Sequence, residues 1–129
     1  MAVAMPLRSS LMDHAKLAIA ELLDHPVFRW QAESCPLLDQ RLSSLPAVSR
    51  QSTQYVASFE MLALKVAAGY GVGISTQSRI ERAHGWGLSM RSLADGPYEV
   101  VTYLQRPYVQ ATPATERFER RALQVAVTI

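Results

Sequence analysis

Residues 58–75 read SFEMLALKVAAGYGVGIS, a helix-forming run that stops at two glycines and restarts as a short strand. Phe59, Leu62, Ala63, Val66, Ala67 and Tyr70 recur at the spacing of one helix face. Met61, Leu64 and Ala68 add a second apolar stripe, and only Glu60 and Lys65 carry charge. A helix this apolar must be buried on more than one side. Ser58 suits the N-cap, where its hydroxyl accepts an otherwise unpaired N–H, and Glu60 falls in the electropositive first turn. Gly69 suits the left-handed position past the helix end, and Gly71 lets the backbone turn with no Cβ in the way. Val72–Ser75 then reads as a strand covered on both faces, the pattern of a parallel sheet.

The rest of the chain continues this alternation. Strands are predicted at residues 3–5, Val27–Trp30, 53–57 and 98–106, with Leu88–Leu93 as an edge strand. Residues 19–24 read as a helix stopped ahead of Pro26. A second helix is predicted to start at Ser34 and Pro36, to carry Leu38, Leu42 and Leu45, and to close at Pro46. Residues 59–68 form the central helix, and 77–83 a turn or two. A last helix begins at Thr112 and Pro113, with Phe118, Ala122 and Val125 directed inward. Strands separated by helices imply an α/β domain: an open, mostly parallel sheet flanked by helices.

Composition narrows the function. The 129 residues suit one domain burying roughly two-thirds of its unfolded surface. With 49% hydrophobic and 19% charged residues the chain is globular rather than disordered. No apolar run approaches the ~18 residues of a bilayer span, and the N-terminal residues lack a signal-peptide pattern. A cytoplasmic protein with no membrane partner is therefore expected. The net charge of +2 is small and its basic residues are scattered, which argues against direct nucleic-acid binding. Cys35 is the single cysteine, and His14, His25 and His84 lack ligand spacing, so no metal or other cofactor is expected.

Ligands of open α/β sheets bind outside the carboxyl ends of strands. That rule nominates residues 31–34, 57–59 and 75–76, and within them Gln31, Ser34, Ser58, Ser75 and Thr76 as polar contacts. Each has a simpler role available, as a helix cap or a strand-end hydroxyl satisfied by backbone. Cys35 at a helix start could be an activated thiol served by His25 or His84; a structural cysteine is the simpler reading. Arg29, inside an apolar strand, calls for a carboxylate partner, with service to a bound anion as the alternative. Trp30 and Trp86 read as core or rim aromatics.

Four segments, in order, resemble the effector-binding domain of LysR-type transcriptional regulators. VAMPLRSSLM is similar to the family's crossover segment, and IAELLDHPVF to the helix and strand that follow. LALKVAAGYGVGIS resembles its helix–strand signature, and MRSLADGPYEVVTYLQRP with TPATERFERRAL its closing strand and helix. The likeness covers nearly the whole chain. It implies a periplasmic-binding-protein-like (type 2) half-domain, with about residues 1–94 as lobe two. About residues 95–129 would be the strand and helix that return to lobe one. Family members also carry a winged helix-turn-helix, absent from this sequence, so contact with DNA is expected only through that region.

The resemblance implies a non-enzymatic, ligand-sensing function that couples a small effector to the arrangement of a dimer. Leu7, in the crossover segment, and Phe59, at the end of the nominated 57–59 span, complete the candidate effector contacts. The family's usual Leu-Pro after the signature is Ser75-Thr76 here, and hydroxyls and amides at that place suit a carboxylate or other small anion. The closing strand lacks its usual sheet neighbours, which makes it a template for self-association. Residues 35–45 are the candidate dimer helix. The alternative is a stand-alone interaction or dimerisation module without its own ligand.

Overall fold

The structure, a computed structural model, describes residues 1–22, 24–33, 35–45, 53–96, 98–100, 104–106 and 109–128. Strands are β1 (Ala2–Pro6), β2 (Lys16–Leu17), β3 (Val27–Trp30), β4 (Thr53–Val56), β5 (Val72–Ser75) and β6 (Leu88–Leu93). Helices are α1 (Ile19–Leu22), α2 (Pro36–Ser43), α3 (Phe59–Ala67), α4 (Gln77–Arg82) and α5 (Pro113–Thr128), with a 3-10 turn at Ser10–Asp13. The strands form one sheet in the order β2-β6-β1-β5-β3-β4. β3 runs parallel to both β4 and β5, and β2 parallel to β6; β1 is antiparallel to its neighbours β5 and β6. The mostly parallel, helix-flanked sheet expected from the sequence is what forms.

Successive side chains of a strand point to opposite faces, and β1 divides the core accordingly. Val3 and Met5 join Ile19, Leu22, Leu38 and Ile74 on one side, under α1 and α2. Ala2 and Ala4 join Phe28, Leu62, Val66 and Ile80 on the other, under α3 and α4. The helix-to-strand turn matches its sequence. Ser58 Oγ caps α3 by accepting from the Met61 N–H at 3.1 Å. Gly69 has φ +85°, the left-handed region. A Cβ on Gly71 would lie 2.2 Å from the Pro26 carbonyl oxygen, the same atom that accepts from Val72 N–H at 2.9 Å. Glycine at 71 is therefore a steric requirement for β5 to start beside β3.

Four expectations change, and a fifth, the Ser34 cap, falls outside the described residues. The central helix α3 is buried on one face only: Phe59, Leu62, Ala63 and Val66 are buried, whereas Met61 and Leu64 of the second stripe and Tyr70 past the helix end are 43%, 65% and 70% exposed. Leu88–Leu93 is not an edge strand: β2 pairs outside it, and the Arg91 guanidinium donates to the carbonyls of His14 and Met12, fixing the preceding loop against it. No strand includes residues 98–100 or 104–106, and residues 101–103 lie outside the described set. The Tyr98 carbonyl accepts from the Met1 amine and the Glu99 carbonyl from the Cys35 thiol, so these acceptors are engaged without a sheet ladder. The expected cap Ser34 also lies outside the described residues; Cys35 holds the N-cap position with no side-chain capping bond, and Pro36 opens α2 as predicted. Finally, α5 does not turn Phe118 inward: it is 64% exposed, and Val125 is half exposed. α1 and α2 cover one face of the sheet and α3 and α4 the other, so the core is closed without the Phe118 ring. Arg106 Nε donates to Glu119 at 2.9 Å, linking the segment before α5 to the helix and raising the arginine's pKa.

No helix among the described residues is long and apolar enough to cross a membrane.

Candidate functional site

Because β3 and β5 are parallel, Trp30 and Ser75 emerge at the same end of the sheet. Beyond them opens a cleft of about 600 Å³, lined among others by Trp30, Glu33, Thr76, Arg79, Tyr98 and Glu99. Its floor is set by a turn after β3, in which the Glu33 N–H donates to the Trp30 carbonyl at 3.0 Å. That turn sends the Glu33 carboxylate back over the end of β5. Ser75 Oγ, fully buried, donates to Glu33 Oε1 at 2.6 Å, and the Thr76 backbone N–H donates to Oε2 at 3.1 Å. Arg79 stands one turn further along, its Nε 3.8 Å from Oε1. Glu33 is thereby 93% withdrawn from solvent (its side chain is 7% exposed) and held through both oxygens. Such charge-assisted hydrogen bonds are the strong kind.

Arg79 is placed by aromatic rings as much as by charge. Its guanidinium carbon lies 4.6 Å from the Trp30 ring centroid and 5.7 Å from that of Phe59. The Trp30 indole N–H donates to the Ala57 carbonyl at 3.1 Å, which locks that platform against the end of β4. Phe59 in turn packs on Trp86, with ring centroids 6.3 Å apart. Although the Arg79 side chain is 43% exposed, its Nε is buried and makes no hydrogen bond among the described residues.

The structure places the candidate residues differently. Thr76 lines the cleft, and Ser75 lies beneath it with its hydroxyl given to Glu33. Ser58 and Phe59 sit at the same end of the sheet but serve α3: Ser58 as its cap, Phe59 as a buried core ring. Gln31 is exposed beside the cleft, with its N–H donated to the Val56 carbonyl. Leu7 follows β1, whose antiparallel direction carries it to the opposite end of the sheet, where it is 62% exposed. Leu7 therefore does not join the others. Ser34 is outside the described residues.

Sequence reasoning passed over the two residues that dominate the geometry, Glu33 and Arg79. Glu33 fell within the loop nominated at the end of β3, but an acidic side chain did not fit an anion site. Arg79 lies three residues past Thr76, one helical turn along, and that spacing was the available signal.

The remaining single-residue questions resolve structurally. Arg29, 2% exposed, pairs with Asp39, and its guanidinium also lies 5.9 Å from the Tyr55 ring centroid. Cys35 is buried, with its thiol on the Glu99 carbonyl at 3.6 Å. Among the described residues no group of His, Cys, Asp and Glu is arranged to hold a metal ion.

No protein-family model matches the sequence, and comparison with curated proteins returns no match. Solved structures do match. Full-length OxyR from Pseudomonas aeruginosa, as a variant, aligns with 73% of this chain and 36% of its own, at 20% identity and a TM-score of 0.58. The effector-binding domain of a BenM variant aligns with 73% of this chain and 45% of its own, at 18% identity and a TM-score of 0.60. The reduced OxyR regulatory domain from the same Pseudomonas species aligns over 73% and 46%, at 22% identity and a TM-score of 0.56. The fold is that of the effector-binding domains of LysR-type regulators, and this chain spans less than half the length of each of these proteins.

Proposed function

We propose that this chain is the ligand-sensing lobe of a LysR-type regulator, holding a small anionic effector in the cleft beyond β3 and β5. The observation that carries this is the convergence of the Ser75 hydroxyl, the Thr76 amide and the Arg79 guanidinium on one carboxylate. That donor set is complementary to a carboxylate through both of its oxygens. The role is non-enzymatic: effector binding at this end of the sheet changes how the lobe sits against its neighbours, and so the arrangement of a dimer. Residues up to about 94 form the lobe proper, and the segment beyond is the part that joins another lobe. DNA is reached only through a separate helix-turn-helix region. The cytoplasm is the location that goes with this role.

Titration of the isotopically labelled chain with a panel of small carboxylates, sulfonates and phosphates tests the assignment. Saturable amide shifts are expected at Glu33, Thr76 and Arg79. A panel that leaves all three unmoved even at saturating, high-millimolar ligand overturns it.

A second reading, a self-associating interaction module, is favoured by one observation. On α5 the large apolar side chains Phe118 and Leu123 are 64% and 56% exposed. Two copies that cover these faces against each other would form a dimer. Light scattering that finds only monomer at high micromolar concentration would exclude this.

A further inference from the structure

The donors suited to an effector anion are not free: Glu33 holds them. Its two oxygens take the Ser75 hydroxyl and the Thr76 amide, at 2.6 and 3.1 Å, and its side chain is 7% exposed. We infer that Glu33 is a tethered occupant of the carboxylate seat, and that a ligand carboxylate enters the cleft by displacing it. The inference rests on the assignment of the cleft as an anion site and adds what regulates its affinity.

Three features make Glu33 an exchangeable occupant. First, it is carried on a short turn beside exposed Gln31 and Ala32, at the wall of an open cleft of about 600 Å³. A side-chain rotation there moves the carboxylate into water without disturbing β3. Second, the resident state leaves a donor unused. Arg79 Nε is buried, 3.8 Å from Glu33 Oε1, and makes no hydrogen bond among the described residues. Held by its tether over β5, Glu33 reaches the hydroxyl and the amide but not this third donor. A free carboxylate seated slightly nearer Arg79 could use all three, and that extra charge-assisted bond favours the ligand over the resident. Third, Arg79 keeps its position when Glu33 leaves, because the rings of Trp30 and Phe59 hold its guanidinium.

The consequence is competition by an intramolecular group. A short tether gives its carboxylate an effective concentration on the order of millimolar or above, and a free ligand's apparent affinity is lowered by the ratio of that concentration to the resident's own dissociation constant. Monocarboxylates without further contacts are then excluded at low concentration. An effector with a second recognition element, such as an apolar body against Trp30, overcomes the competitor. Glu33 therefore sets a threshold and filters for ligands larger than a bare carboxylate.

The test uses acetate as the probe, acetamide as the uncharged control, and the full chain as wild type, Glu33→Gln and Glu33→Ala. Binding is followed at the Thr76 amide by NMR. Acetate is expected to bind both variants about tenfold or more tighter than wild type, the factor imposed when the resident's effective concentration exceeds its own dissociation constant about tenfold, with the Thr76 amide shifting and acetamide inert. Equal affinity in all three proteins with a shifting Thr76 amide overturns the inference but leaves the anion cleft standing. Absence of acetate binding in every protein overturns both. Loss of folding in both variants also overturns the inference, because a carboxylate the fold cannot spare is no exchangeable occupant.

Discussion

Ser75 donates its hydroxyl to Glu33 across 42 residues of sequence, and the bond at 2.6 Å ties the turn after β3 to the end of β5. Ser75 is fully buried, so no water replaces the serine when its hydroxyl is removed. A hydrogen bond to a charged acceptor contributes more than a neutral one. Ser75→Ala is therefore expected to lower unfolding stability by about 2 kcal/mol in urea titrations. The Thr76 amide keeps its hold on the other oxygen, so the fold should persist. A loss below ~0.5 kcal/mol would mean that the contact is not maintained in solution.

Gly71 and Gly69 lie two residues apart and fail differently when given a side chain. At Gly69 the constraint is conformational: φ is +85°, but a Cβ meets nothing within 4 Å. Alanine there should cost about 1 kcal/mol, the penalty of the left-handed region. At Gly71 the constraint is a backbone atom, the Pro26 carbonyl oxygen at 2.2 Å, which cannot move without breaking its bond to Val72. Gly71→Ala should therefore cost about 3 kcal/mol, in the upper range for overpacking. Thermal unfolding of the two variants in parallel checks the order, and a reversal would remove the steric account of the turn.

What could be read from the sequence follows from how local each signal is. The cap at Ser58, the stripe from Phe59 to Val66 and the stop at Gly69 are set within one helix, and all appear in the structure. The cleft end of the sheet was legible as well, because parallel strands bring their carboxyl ends together. Glu33 on Ser75 was not, since two residues 42 apart meet only once β3 and β5 are in register. The apolar face of α5 misled for a related reason. Periodicity identifies a face, but not whether the folded chain offers it a partner, and Phe118 stays exposed. The β-branched and aromatic content of residues 98–106 likewise records a strand-like preference, while Tyr98 is buried outside any strand.

Arg29 and Asp39 form a pair with unequal burial: 2% of the arginine side chain is exposed against 46% of the aspartate. Removing the exposed partner strands a buried charge, so Asp39→Ala should destabilise by about 3 kcal/mol. Removing the buried partner leaves a carboxylate that water can solvate, and methionine fills much of the arginine's volume. Arg29→Met should therefore cost clearly less. Urea unfolding of both variants decides, and equal losses would mean that Asp39 contributes little to holding Arg29.

Tyr98 provides a pH signature of its own burial beside Asp95 and Arg41. Burial raises its pKa, the nearby Asp95 carboxylate adds to this, and Arg41 partly offsets it. The fold thus favours the neutral phenol. Its contribution to stability is fully present below the ordinary tyrosine pKa of about 10 and is lost as pH rises through the higher folded value. In an alkaline titration followed by phenolate absorbance, wild type should show a late component that disappears in Tyr98→Phe. The same variant should lose less stability than wild type between neutral and strongly alkaline pH. If the late component survives the substitution, it belongs to another tyrosine, and Tyr98 does not carry the alkaline sensitivity.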